Sequence, residues 1–155
     1  MTDAISTPVD LSQHYRLAET NEERSQFLFH HYNRQASLFE NRLYAVAAKT
    51  ITGYKGDYME YATAENGLGF LFPKSSTNLT VSTIDGYGAY TLPPEIVGIL
   101  CTALATLIMV EQADKLGLAD DQHDAYIKSY EHLIAFGKKL AIEAGVEREY
   151  FELTD

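Results

Sequence analysis

The stretch Tyr58-Met59-Glu60-Tyr61-Ala62-Thr63-Ala64-Glu65-Asn66-Gly67-Leu68-Gly69-Phe70-Leu71-Phe72-Pro73 decides the fold class. Its runs 58–62 and 68–72 are rich in aromatic and apolar side chains and flank Asn66-Gly67, a dipeptide that tolerates the positive φ angles of a hairpin turn. In the second run Leu68, Phe70 and Phe72 alternate with Gly69 and Leu71, which assigns the large side chains to one face. Two similar runs, 79–83 and 87–91, enclose a second turn pair, Asp85-Gly86. The pattern predicts an antiparallel meander of three to four strands.

On both sides the period becomes helical. Thr20-Asn21-Glu22-Glu23 forms a capping box, and Phe27, Leu28 and Tyr32 follow at helical spacing. Phe39, Leu43, Val46 and Ala47 share one face of a second stretch, with no strong stop signal between the two. Pro93-Pro94 ends the sheet and opens an apolar helix over 96–110, whose Gly98, Thr102, Ala105 and Thr106 make a small-residue stripe suited to close approach on the sheet. Gly117 is a stop. Asp120-Asp121 opens a last helix with Tyr126, Tyr130, Leu133, Ile134 and Leu140 inward and Lys128, Lys138 and Lys139 outward, closed by Gly145. Residues 146–155 read as an acidic tail and residues 1–19 as an N-terminal arm. The expectation is one α+β domain over 20–155, with the meander packed against about four helices.

The 155 residues carry 22 acids against 12 Lys and Arg, a net charge of −10. That balance argues against a nucleic-acid binder, which needs a basic face to displace counterions. An apolar content of 46% is that of a globular chain, and a lone Cys101 makes no internal disulfide. The N-terminal residues lack a basic segment followed by an apolar one, and the apolar run 96–110 falls short of the ~20 residues that span a bilayer. The expected setting is the cytoplasm, without membrane attachment.

Candidate chemistry is sparse. His30 and His31 are adjacent and diverge on a helix, and His123 and His132 fall on opposite sides of theirs. No zinc, EF-hand or nucleophile-elbow motif is present, so no metal or cofactor site is expected. Cys101 lies in the most apolar segment and reads as core. Gly67-Leu68-Gly69 precedes a strand, not a helix, and is no phosphate loop. Asp57, Glu60 and Glu65 sit near the first hairpin, where paired carboxylates compete with solvated turn residues. Tyr54, Tyr58, Tyr61, Tyr87 and Tyr90 crowd the sheet, but only Lys49, Lys55 and Lys74 accompany them. Half-buried sheet tyrosines are therefore expected, with a protein-contact surface as the functional reading rather than a base-stacking platform. The last residues, with Glu152 and the doubly carboxylated Asp155, offer a second contact, which Tyr150, Phe151 and Leu153 would dock on the body.

Three segments together resemble the ArdB/KlcA-type antirestriction family: Phe39-Glu40-Asn41-Arg42-Leu43-Tyr44-Ala45-Val46-Ala47, Gly56-Asp57-Tyr58-Met59-Glu60-Tyr61 and Asn66-Gly67-Leu68-Gly69-Phe70-Leu71-Phe72-Pro73. Leu92-Pro93-Pro94-Glu95-Ile96-Val97-Gly98-Ile99 and the final Leu153-Thr154-Asp155 are similar landmarks. Met59 stands where that family usually has Trp. The resemblance implies an accessory protein of plasmids and other mobile elements that relieves type I restriction–modification, without catalysis or cofactor, through a protein partner in or linked to that machinery. It leaves the oligomeric state open. The alternatives are an acidic interaction module or a DNA-mimic inhibitor. The contact residues expected are Tyr58, Tyr61, Glu152 and Asp155, and no stable DNA binding is expected.

Overall fold

The structure, a computed structural model, describes residues 8–83, 85–86 and 88–154. Strands β1 (Tyr15–Leu17), β2 (Met59–Ala64) and β3 (Gly69–Pro73) form an antiparallel sheet in that order. The β2–β3 turn is the one expected at Asn66-Gly67. Ala64 N–H donates to Leu68 O at 2.8 Å, Gly67 N–H donates to Ala64 O at 2.8 Å, and Gly67 sits at φ +84°. Strand β1 lies within the stretch read as an arm and pairs Tyr15 with Ala64 and Leu17 with Ala62. Ahead of it, Leu11 is fully buried, and His14 Nε2 lies 2.9 Å from both carboxylate oxygens of Glu143.

The four apolar runs do not make one meander. Strands β4 (Leu79–Ser82) and β5 (Ala89–Leu92) form their own two-stranded sheet, and β3 does not pair with β4. The cause is a helix that occupies the second edge of β3. In the β2–β3 register, Leu71 faces Tyr61 at a position whose N–H and C=O point away from β2. Both groups are taken by one hydroxyl of the helix that follows β5. Thr102 Oγ1 accepts from Leu71 N–H at 3.1 Å and donates to Leu71 O at 3.3 Å. One turn earlier, a Cβ on Gly98 would stand 2.2 Å from Phe72 Cβ and 2.3 Å from Leu71 O, so only glycine admits this approach.

That helix is α3 (Pro94–Glu111), and it follows α1 (Asn21–Tyr32) and α2 (Ala36–Thr50). With α3 on its edge and packing on both faces, every residue of β3 is buried, Leu71 included. The alternation read from 68–72 therefore does not divide an inner from an outer face. The small-residue stripe serves as expected, with Thr106 adding hydroxyl contacts to Thr102 O and to the Tyr32 hydroxyl, each at 2.8 Å. Ile96, Val97, Ile99, Ala105 and Met109 are fully buried, while Leu100 and Leu104 are half-buried beside a cavity of about 140 Å³. By length and composition α3 could cross a membrane, but most of it is buried inside this domain.

The other boundaries have local causes. The Thr20–Glu23 capping box opens α1, which ends where Asn33 takes φ +51° and begins a short 3-10 turn, Asn33–Gln35. Past α3 come α4 (Ala113–Leu116), stopped by Gly117, and α5 (Asp120–Ala144), stopped by Gly145, both glycines in the left-handed conformation. The supposed tail is helical: α6 (Glu147–Thr154) docks through Tyr150, which is buried and donates to Ile134 O at 2.6 Å. The ring lies over Gly137, where a Cβ would come within 2.4 Å of the tyrosine oxygen. Against about four helices expected, α4 and α6 are the additions among the described residues.

Two substitutions test the α3–β3 seam. Thr102→Val keeps the side-chain shape but strands the Leu71 N–H and C=O in the interior, at an expected cost of about 1–3 kcal/mol. Gly98→Ala forces the helix off the strand and should cost at least about 2 kcal/mol. Urea denaturation of both variants against wild type measures these losses; unchanged midpoints would mean the seam contributes nothing.

Candidate functional site

Where the N-terminus of α1, the outer flank of α2 and the entry to β2 meet, aromatic rings are held in fixed orientations. Tyr58, just before β2, is 46% exposed. Its hydroxyl accepts from Arg24 Nε–H at 2.8 Å, and the guanidinium carbon lies 5.5 Å from the ring centroid. Arg24 is itself fixed by Asn21 Oδ1 at 2.9 Å and Glu19 O at 3.4 Å. The loop before Tyr58 turns at Gly53 and Gly56, both at positive φ, and brings the Tyr54 ring parallel to Tyr44 of α2 at 6.4 Å. The Tyr54 hydroxyl donates to Asp57 O at 2.6 Å.

Beneath this surface, Tyr61 is 8% exposed; it donates to Glu40 Oε2 at 2.8 Å and meets Phe27 edge-on at 5.6 Å. Burial, reinforced by the Glu40 carboxylate, pushes the Tyr61 and Tyr44 phenols above their ordinary range. Burial does the same for Tyr54, with Tyr44 and Asp57 adding to it. These phenols therefore stay protonated. They offer ring faces and neutral hydroxyls, the chemistry of contact rather than of proton transfer.

The expected contact residues are thus differently placed. Tyr58 stands on the surface, and Tyr61 supports it from inside. Glu152 is exposed on α6, which packs on α5 and β5, and Asp155 lies outside the described residues. The five sheet tyrosines do not form one platform: Tyr90 belongs to the second sheet, and Tyr87 lies outside the described residues. The contributions of Arg24 and Tyr44 were missed in the sequence, because only tertiary folding brings α1, α2 and β2 together. The one available signal was that Tyr44 and Tyr58 both lie in the segments that carry the family resemblance.

The remaining candidates are structural. Cys101 is buried, 3.8 Å from Thr50 Oγ1, and burial pushes its thiol up to about 12, so no thiolate forms near neutrality. Asp57 precedes β2 and Glu60 lies near its start, whereas Glu65 follows its end, beside Lys139 at 3.4 Å, so Glu65 is held apart from the other two. Among the described residues no group of three His, Cys, Asp or Glu is placed to hold a metal. His30 is exposed, while His31 is partly buried against the Phe27 ring at 4.6 Å and the backbone at Gly69. Burial, then the neighbouring His30, lowers the His31 pKa to about 4.

No family model matches the chain, and no curated protein matches it by sequence. What the geometry defines is an α+β domain presenting a rigid aromatic surface. Its fold is that of the KlcA and ArdB proteins: a solved structure of these superposes with a TM-score of 0.68 at 21% identity, over 86% of this chain and 93% of that one. The work on that structure describes a novel fold, and antirestriction activity of those proteins against type I DNA restriction systems in vivo but not in vitro.

A pH dependence follows from His31. Its folded-state pKa of about 4 lies below the 6.5 of a free histidine, so between those values the unfolded chain binds the additional proton. The His31 contribution to stability is complete above pH 6.5, declines as pH falls toward 4 and is level below that. In urea unfolding at about pH 7.5 and about pH 5, His31→Gln should lose less stability on acidification than wild type. Equal losses would show that His31 does not contribute.

Proposed function

We propose that the protein relieves DNA cleavage by type I restriction–modification systems through protein contacts, without catalysis. The observation that carries this reading is the shared KlcA/ArdB fold over most of both chains. The site chemistry supports it: protonated phenols, a buried neutral thiol and an arginine committed to Tyr58 suit recognition better than bond-breaking. The activity of the KlcA and ArdB proteins in vivo but not in vitro fits action through a further cellular component. On this reading the protein works in the cytoplasm, as an accessory of a plasmid or other mobile element, and Tyr58 belongs to the contact surface.

DNA mimicry fits less well. Duplex DNA carries one charge per ~1.7 Å of axis, an array of free anions. Here several carboxylates are engaged internally: Glu40 by Tyr61, Glu95 by Tyr15, Glu143 by His14, and Glu65 by Lys139. Direct DNA binding is not expected either, given the net charge of −10. Fluorescence anisotropy with a duplex at about 150 mM salt should give no sub-micromolar dissociation constant.

The decisive test is the plating of unmodified phage on a type I restricting host. Expression of the protein should raise plating efficiency by an order of magnitude or more. Tyr58→Ala should lose most of that gain at unchanged expression and melting temperature, since its ring is half in solvent. Asp155→Asn, assayed alongside, reports whether the side-chain carboxylate of Asp155 belongs to the same surface. No protection by wild type would refute the antirestriction reading; full protection by Tyr58→Ala would remove that residue from it.

A further inference from the structure

Every edge of the two sheets is closed or charged, except one. The far edge of β3 is taken by Thr102, and that of β4 by the end of α2, where Ile51 bridges Val81 and Thr52 N–H donates to Thr80 O at 2.9 Å. The outer edge of β1 carries the exposed Arg16, a charge that discourages a further strand from pairing. The outer edge of β5 has no such device. Thr80 turns its C=O to Thr52, away from β5, so Thr91 opposite it turns its own N–H and C=O away from β4, and so does Ala89 two residues earlier. These backbone groups have no hydrogen-bonding partner among the described residues, and both side chains are exposed. No charge and no proline lies between Ala89 and Leu92. Helix α6 packs on β5 but leaves this edge open: its Leu153 and Thr154 line the cavity together with Val81 of β4 and Val46 of α2. A helix lying beyond β5 could not reach that cavity, so α6 runs beneath the face that carries Val81 and Tyr90.

This edge is also where a second copy of an acidic chain meets little repulsion. Residues 75–94 hold one charged side chain, Asp85, in a chain whose charged content is 22% and whose net charge is −10. That carboxylate accepts from the Thr83 hydroxyl within its own turn. A two-fold axis at Tyr90, perpendicular to the sheet, sets Ala89 of each copy opposite Thr91 of the other. Both residues point their backbone groups across the axis, so each pair exchanges two hydrogen bonds, in the ordinary antiparallel geometry. Tyr90 then faces its own copy in the closer, non-hydrogen-bonded pair, and the two half-buried rings become neighbours beneath the joined sheet.

We propose that two copies of this chain pair through their β5 edges, antiparallel and with Ala89 opposite Thr91, to make one continuous sheet in the order β4, β5, β5, β4. The contact is a pair of short strands, well below the ~800 Å² per partner of a standard stable interface. The dimer is therefore weak and reversible. Glu147, Glu149 and Glu152 of α6 belong to the same side of the sheet in both copies, so their repulsion opposes association at low ionic strength. At about 0.15 M salt, charges more than ~8 Å apart are largely screened. The pairing uses no residue of the Tyr58 surface and does not rest on the antirestriction reading.

Sedimentation velocity from about 10 µM to about 1 mM, in about 0.15 M salt, tests this over the affinity range of such small interfaces. Wild type should move from monomer toward dimer, and the Ala89 and Thr91 amides should gain protection from hydrogen exchange over the same range. Thr91→Pro removes a donor that the monomer leaves unused and should raise the dissociation constant at least about tenfold. Thr91→Val, which keeps the N–H, should leave it within about threefold of wild type. The register is read by charge. Ala89→Glu with Thr91→Glu sets like charges directly opposite and should weaken association. Ala89→Glu with Thr91→Lys keeps the net charge, sets opposite charges there and should tighten it beyond wild type. Both side chains are exposed, so the paired charges leave the monomer folded. A monomeric wild type at about 1 mM would overturn the proposal and leave this edge to a different partner. A dimer indifferent to Thr91→Pro, or a Glu–Lys variant no tighter than the Glu–Glu one, would overturn it too.

Discussion

Two residues of α3 hold this fold together: Thr102, whose hydroxyl satisfies both free backbone groups of Leu71, and Gly98, whose missing side chain lets the helix axis approach the strand. A strand edge buried without hydrogen-bonding partners is costly, and sheets ordinarily solve this by adding another strand. Here a helix takes that place. The consequence is that β4 and β5 are excluded from the main sheet and close on each other, with Ile51 and Thr52, at and just past the C-terminus of α2, bonded to the outer side of β4.

That arrangement also positions the aromatic surface. With β3 buried on every side, β2 becomes the strand whose entry reaches the exterior, and the residue just before it, Tyr58, emerges beside α1. The surface is ordered before any partner arrives: Arg24 bridges Tyr58 to the α1 cap region, Tyr54 is tied to Asp57, and Tyr61 is locked to Glu40. Such pre-ordering lowers the conformational entropy lost on binding and suits a recognition surface. The same burial that raises these phenols removes them from acid–base chemistry at physiological pH.

Helix α1 divides into a buried and an exposed face. Phe27 and Tyr32 point into the core, with Tyr32 stacked on Phe39 at 3.6 Å, while Phe29 is turned outward. The Arg24–Tyr58 pair lies on another flank of the same helix.

Much of this protein was determined by sequence alone. Helix starts at Thr20, Pro94 and Asp120, stops at Gly117 and Gly145, and the turns at Gly67 and Gly86 follow from local chemistry: caps, a missing amide hydrogen and positive φ, each set within a few residues. The small-residue stripe of α3 was legible for the same reason. The family resemblance lay in residues that build the core and the turns, which is why it led to the right fold. What only the tertiary structure decided were relations between distant segments: the division of four strands into two sheets, the strand made from residues 15–17, the site over Gly137 and Ile134 where Tyr150 docks α6, and the grouping of Arg24, Tyr44 and Tyr58. Strand alternation reports the two faces of a strand, but it carries no information about its edges. A backbone edge is satisfied by whatever element arrives, and at Leu71 that element comes from thirty-one residues away.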